Sequence, residues 1–164
     1  MVENALSHAG SLRFSRICHL DDSTTIRDQT YPGLYFIEVR VNLARHETVT
    51  EWATWFKDRW DNDRPRGHFT PGIKPGRVTE HQRLVEWMPF YLGIRKTTVM
   101  ERVMQHITLP ANANTGGLKL ASRKRVKLSD FRLSTIRLEL QAYDSIMPII
   151  ERAMRRRLNP IAGT

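Results

Sequence analysis

The 164-residue sequence predicts an α+β domain, a small and mainly antiparallel sheet with helices packed on one face. Three observations predict it. Residues 35–43 alternate, Tyr35, Ile37, Val39, Val41 and Leu43 on one side and Phe36, Glu38, Arg40 and Asn42 on the other, the period of a strand with one face on a core. Three stretches further on pair a capping signal with apolar residues at helical spacing. Residues 118–128 and 133–141 then return to strand alternation before a last helix.

Residues 1–30 read as an irregular N-terminal arm, with a short apolar stretch from Leu12 to Leu20 that suits one short strand. Residues 31–164 read as a single α+β domain, long enough to bury a core. Tyr31-Pro32-Gly33 is a turn signal ahead of the alternating strand. Thr48-Val49-Thr50-Glu51 is a capping box. Trp52, Trp55, Phe56 and Trp60 follow at helical spacing and are expected to pack that helix on the sheet; a base-stacking platform is the functional alternative.

Residues 61–78, with three prolines and three glycines, form a long loop. A second helix is expected from Thr79, capped by Gln82, with Leu84, Val85, Met88 and Leu92 inward, Pro89 kinking it and Gly93 ending it. A third starts at Thr98, with Glu101 in the box position and Val99, Met100, Val103, Met104 and Ile107 inward. In the 118–128 strand, Leu118, Leu120, Val126 and Leu128 oppose a row of Lys119, Arg123, Arg125 and Lys127. Ile136, Leu138 and Leu140 point inward from the next strand. The last helix is capped at Asp144 or Ser145, holds Pro148 in its first turn, and leaves Arg152, Arg155 and Arg156 exposed.

The charge is one-sided. Residues 1–80 carry 11 Lys/Arg and 11 Asp/Glu, whereas residues 81–164 carry 15 and 6, the whole +9 of the chain. Such a field implies a polyanionic partner. The expected contact residues are Lys119, Arg123, Lys124, Arg125, Lys127, Arg137, Arg152, Arg155, Arg156 and Arg157. One cysteine, Cys18, excludes an internal disulfide. There is no run of about 18 apolar residues and no secretory pattern at the N-terminus, so the expected location is intracellular (cytoplasm or nucleus), or a virion.

Catalytic signals are sparse. His46-Glu47-Thr48-Val49 and His106-Ile107-Thr108-Leu109 resemble the paired motifs of 2H phosphoesterases, but those sit on strands, and here one begins a helix and the other ends one. Arg66-Gly67-His68 resembles the core of ββα-metal nucleases, with Pro65 where an acidic residue is expected. Asp61 and Asp63 read as a solvated turn, and Cys18 beside His19 lacks a further zinc ligand nearby. No catalytic residue, metal or cofactor is expected.

Three stretches, in order, resemble rhabdovirus matrix proteins: residues 34–41, the segment Phe90-Tyr91-Leu92-Gly93, and residues 135–144. The arm carries neither a lysine cluster nor a Pro-Pro-x-Tyr budding motif. The resemblance implies a small basic protein that self-associates, condenses a nucleocapsid and contacts acidic membrane. The expected function is thus a non-enzymatic structural or assembly protein binding nucleic acid or a ribonucleoprotein, with acidic membrane lipid as a further partner. The alternatives are a ribosomal or other RNP subunit that binds RNA, and a metal-dependent nuclease using His68.

Overall fold

The computed structural model describes residues 10–63, 70–138 and 143–163. Its elements are β1 (Ser15–His19), α1 (Ser23–Arg27), β2 (Gly33–Arg40), α2 (Val49–Asn62), α3 (Pro75–Val78), β3 (Trp87–Arg95), α4 (Val99–Thr108), β4 (Phe131–Arg137) and α5 (Tyr143–Leu158). Single 3-10 turns lie at Leu120–Ser122 and Leu128–Asp130. The strands form one antiparallel sheet in the order β1-β4-β2-β3, so the fold class is α+β as the pattern predicts. Among the described residues no helix is long and apolar enough to cross a membrane.

β2 lies at the centre of the core, and both of its faces are buried. Tyr35, Ile37 and Val39 pack with Ile26 of α1, with Trp52, Phe56 and Trp60 of α2, and with Val99 and Val103 of α4. Leu34 and Phe36, on the other face, join Leu92, Ile136 and Leu138 beneath Met147, Ile150 and Met154 of α5. Helices therefore cover two faces, not the single face expected. Alternation alone turns Phe36 outward, but Leu92 opposite it and Ile136 opposite Leu34 create a second apolar surface for α5.

The stretch expected as an irregular arm enters the domain from Leu12 on, because Leu12 and Phe14 pack on the α5 side and β1, the short strand expected between Leu12 and Leu20, pairs with β4. Residues 1–9 lie outside the described residues. The helix expected from Thr79 is instead the single turn α3, at 75–78, followed by the strand β3. Pro89 explains the difference. It cannot donate a helical hydrogen bond, but β3 is the last strand of the sheet, where a missing donor is tolerated. A bulge between Ile37 and Glu38 in the pairing of β2 with β3 puts Phe90 as well as Tyr91 on the α2/α4 side. The outer edge of β3 is covered at Pro89 and Phe90, whose carbonyls accept the backbone N–H groups of Ile161 and Ala162 at 3.1 and 2.9 Å.

The capping signals at Thr48 and Thr98 hold. Each hydroxyl accepts the N–H of the glutamate three residues on, at 3.2 and 3.3 Å. α5 begins at Tyr143, so Pro148 sits inside the helix, exposed, beyond its first turn. Leu140 and Glu139 lie outside the described residues.

One buried polar knot ties α4 to the sheet. Gly93 lies opposite Tyr35, and a Cβ there would stand 2.2 Å from the Tyr35 hydroxyl. Glycine lets that ring cross β3 and reach His106 Nε2 at 2.9 Å. His106 Nδ1 accepts the Leu118 N–H at 3.1 Å, so Nε2 carries the proton and donates to Tyr35.

Burial first, and the nearby Arg102 charge second, hold His106 down at about 3 against an ordinary 6.5. The unfolded chain takes up that proton below the ordinary value and the folded chain does not. Stability is therefore lost as pH falls from about 6.5 toward 3. The expected loss from this residue between pH 7 and pH 5 is about 2 kcal/mol. Urea denaturation at both pH values checks it: His106→Gln should remove that increment, and an unchanged pH difference would refute the assignment.

Candidate nucleic-acid interface

The cationic row expected along residues 118–128 does not form. This stretch is irregular, with two 3-10 turns and Lys119 in the left-handed region at φ 53°. Lys119 is fully buried, and its Nζ donates to the carbonyls of Ala113 and Ala111 at 2.7 and 3.3 Å. Burial, with Arg123 second, lowers its pKa. Arg123 is buried as well. Its Nε and Nη1 donate to the carbonyls of Leu118 and Trp60 at 3.0 and 2.9 Å, and its guanidinium lies 3.3 Å from the Trp60 ring centroid. These two residues are internal staples and leave the list of contact residues. A charged head inside a protein must find acceptors, and here the backbone carbonyls of two loops and of α2 supply them.

The other expected contact residues scatter. Lys124, Arg125 and Lys127 are exposed beside the C-terminal half of α2, where the Arg125 carbonyl accepts from Arg59 Nη2 at 3.1 Å. Arg137 is exposed and lies 5.6 Å from the Tyr31 ring centroid, apart from that group. Arg152 and Arg156 are exposed on α5, whereas Arg155 is half-buried and paired with Glu151 at 2.5 Å. Arg157 reaches back to the carbonyls of Leu12 and Gly10 at 3.1 and 3.4 Å.

A different assembly emerges at one end of the sheet. α5 covers Leu34, Phe36, Leu92 and Ile136 but not the rest of that face. Register continues the face with Arg16, His19, Arg132, Glu38, Arg40 and Trp87. Arg132 grips Glu38 through two parallel bonds of 2.6 and 2.9 Å, both side chains largely sheltered. That pairing holds the Arg132 guanidinium 4.5 Å from the Trp87 centroid. Arg40 approaches the same ring at 6.0 Å, and His19 meets it edge-on at 5.3 Å.

Two open clefts flank this ring. One, of about 490 Å³, is lined by Trp87 with His81, Arg83, Arg156 and Arg157. The other, of about 670 Å³, is lined by Arg40, Arg45, Lys127 and Trp55. Residues 85–87 separate them, Glu86 facing the larger and Val85 and Trp87 the smaller. Together the linings hold six Lys/Arg against three Asp/Glu.

No family model matches the chain, and no curated protein or solved structure matches it.

The catalytic signals resolve differently. His106 is sealed from solvent with both ring nitrogens bonded, so it cannot exchange a proton with a substrate. His46 is buried against Trp55 and the Glu51 carboxylate, in the lining of the larger cleft. Asp61 pairs with Lys57, and Asp63 accepts the Arg125 N–H at 2.8 Å. Arg66 and His68 lie outside the described residues. Among the described residues no group of three or more His, Cys, Asp or Glu is placed to hold a metal ion.

Sequence reasoning missed Trp87, Arg40, Arg45, Arg83 and the exposure of Trp55. For Trp55 a signal exists. At about 100° per residue, Val49, Trp52, Ala53, Phe56 and Trp60 span an arc of about 100°, and Trp55 falls roughly 60° outside it. Those five side chains are buried, and Trp55 is 42% exposed.

Proposed function

We propose that this chain is a non-enzymatic binding protein that engages nucleic acid, free or within a ribonucleoprotein, along the two clefts and the Trp87 ring between them. One observation carries the reading. Two tryptophans, Trp55 in the larger cleft and Trp87 in the smaller, each hold an arginine guanidinium, 4.9 and 4.5 Å from the ring centroid, and the charged residues of the two linings are six Lys/Arg to three Asp/Glu. Cations along a groove track a phosphate backbone, and aromatic rings within it offer faces to bases. Arginine suits the role because its planar fork matches phosphate oxygens. The assembly role implied by the matrix resemblance adds self-association and acidic membrane to the same basic surface.

The test is co-sedimentation of the full chain with RNA, DNA and anionic or neutral liposomes across a salt series. Binding to nucleic acid should weaken linearly on logarithmic axes as salt rises. Changing Arg83, Arg156 and Lys127 together to Gln should make that slope shallower by roughly 2, since each contact to a single strand contributes about 0.7. Thermal stability should hold, because all three side chains are exposed. A slope unchanged by the triple substitution would sink the assignment. Preference for anionic liposomes over nucleic acid would transfer the surface to a membrane partner.

A further inference from the structure

Among the described residues, Leu43 and Trp55 are the large hydrophobic side chains left exposed, at 50% and 42%. They come from different elements, the turn after β2 and the outer side of α2, yet both line the larger cleft. Neither belongs to the core clusters. Two exposed apolar side chains lining the same cleft beside Arg40, Arg45 and Lys127 are an arrangement that core packing does not require.

Trp55 is also held in place. The His46 ring lies 4.9 Å from it, tilted by 46°, and is itself buried and 3.6 Å from the Glu51 carboxylate. On the C-terminal side the Arg59 guanidinium stands 4.9 Å from the Trp55 centroid, steadied by its bond to the Arg125 carbonyl. The indole therefore meets a ligand with its orientation set in advance, which lowers the entropy cost of binding.

We propose that this cleft accepts an unpaired base of a single-stranded nucleic acid, stacked on Trp55 and Leu43 while Arg45 and Lys127 hold the flanking phosphates. The inference rests on the nucleic-acid reading above and adds the strandedness of the ligand. A duplex keeps its base faces covered by neighbouring pairs, so only a single strand presents a face to an indole. At about 670 Å³ the cleft lies within the range of roughly 300–1,000 Å³ typical of small-ligand sites, ample for one nucleotide. The cleft lining carries three cations, Arg40, Arg45 and Lys127, against Glu86 and Asp130, with Arg59 over the Trp55 ring and Glu51 beside His46, a balance that favours a phosphate-bearing occupant over an apolar peptide.

Fluorescence anisotropy with end-labelled oligonucleotides tests it, using a single strand, the matching duplex and an abasic strand of equal length. The wild-type chain should bind the single strand more tightly than the other two. Trp55→Ala should weaken single-strand binding roughly 10- to 100-fold, about what one aromatic–base stack supplies, and leave duplex and abasic binding unchanged. Trp55→Phe should recover most of the loss. Wild-type affinities equal for the single and abasic strands, or a Trp55→Ala loss that is absent or shared equally with the duplex, would overturn the base site and leave the wider reading intact. No binding of any oligonucleotide at low salt would overturn both.

Discussion

Arg123→Ala is expected to cost about 3 kcal/mol of stability while leaving the salt dependence of nucleic-acid binding as it is. The side chain is 5% exposed and is spent on internal contacts. Its Nε and Nη1 bond the carbonyls of Leu118 and Trp60 at 3.0 and 2.9 Å, and the guanidinium stacks on the Trp60 ring. Hydrogen bonds from a charged donor contribute about 1.5–3 kcal/mol each. The cost of burying the charge offsets part of that, so the sum for two bonds is set near the lower end. Truncation also strands two carbonyls without the donor they had. For a chain of this length the melting temperature should fall by about 6–12 °C. Arg123→Lys should recover only part of the loss, because an ammonium keeps the charge but not the flat fork that stacks on the indole. Thermal and urea denaturation beside the salt titration settle the matter. Wild-type stability combined with weaker nucleic-acid binding would return Arg123 to the binding surface.

Trp60→Ala should be costlier still, about 4 kcal/mol. Trp60 is wholly buried, stacked on Phe56 at 5.9 Å and edge-on to Phe90 at 4.9 Å, and its Nε1 donates to the Pro71 carbonyl at 2.8 Å. Alanine leaves a cavity where α2, β3 and Pro71 converge. Trp60→Phe keeps much of the packing but strands the Pro71 carbonyl, for a loss of about 1–2 kcal/mol. Since Arg123 sits on this ring, the two truncations should not add. Urea denaturation of both singles and the double variant should give a combined loss smaller than the sum by about 0.5–3 kcal/mol. Strict additivity would mean that the cation–ring contact contributes nothing.

Much of the scaffold is legible in the chain. The β2 alternation holds from Tyr35 to Arg40, and the two threonine caps and the apolar spacing of α4 appear where their local patterns place them, whereas Leu43, expected inward, falls in the turn beyond the strand and is exposed. β3 is missed because Met88 and Leu92 satisfy a helical period as well as a strand period, and Pro89 suits an edge strand better than a helix interior. Part of the candidate site was legible too. Charge alone points to Lys127, Arg156 and Arg157, and all three line the clefts. Arg40, Arg45 and Arg83 belong to stretches of ordinary composition, and only the fold carries them to the same end of the sheet.

The sequence by itself determined the α+β class, the net charge of +9 and the apolar stripes, because periodicity, capping and charge are local or additive. Only the tertiary structure decided which cations meet solvent. Lys119 and Arg123 read as members of an exposed row, yet both are buried because Ala111, Ala113, Leu118 and Trp60 bring them carbonyl acceptors. Trp55 reads as one of four equivalent aromatics, yet it is the one left exposed at the cleft. Burial depends on what the rest of the chain folds against a side chain, and that is a property of the whole packing rather than of any stretch.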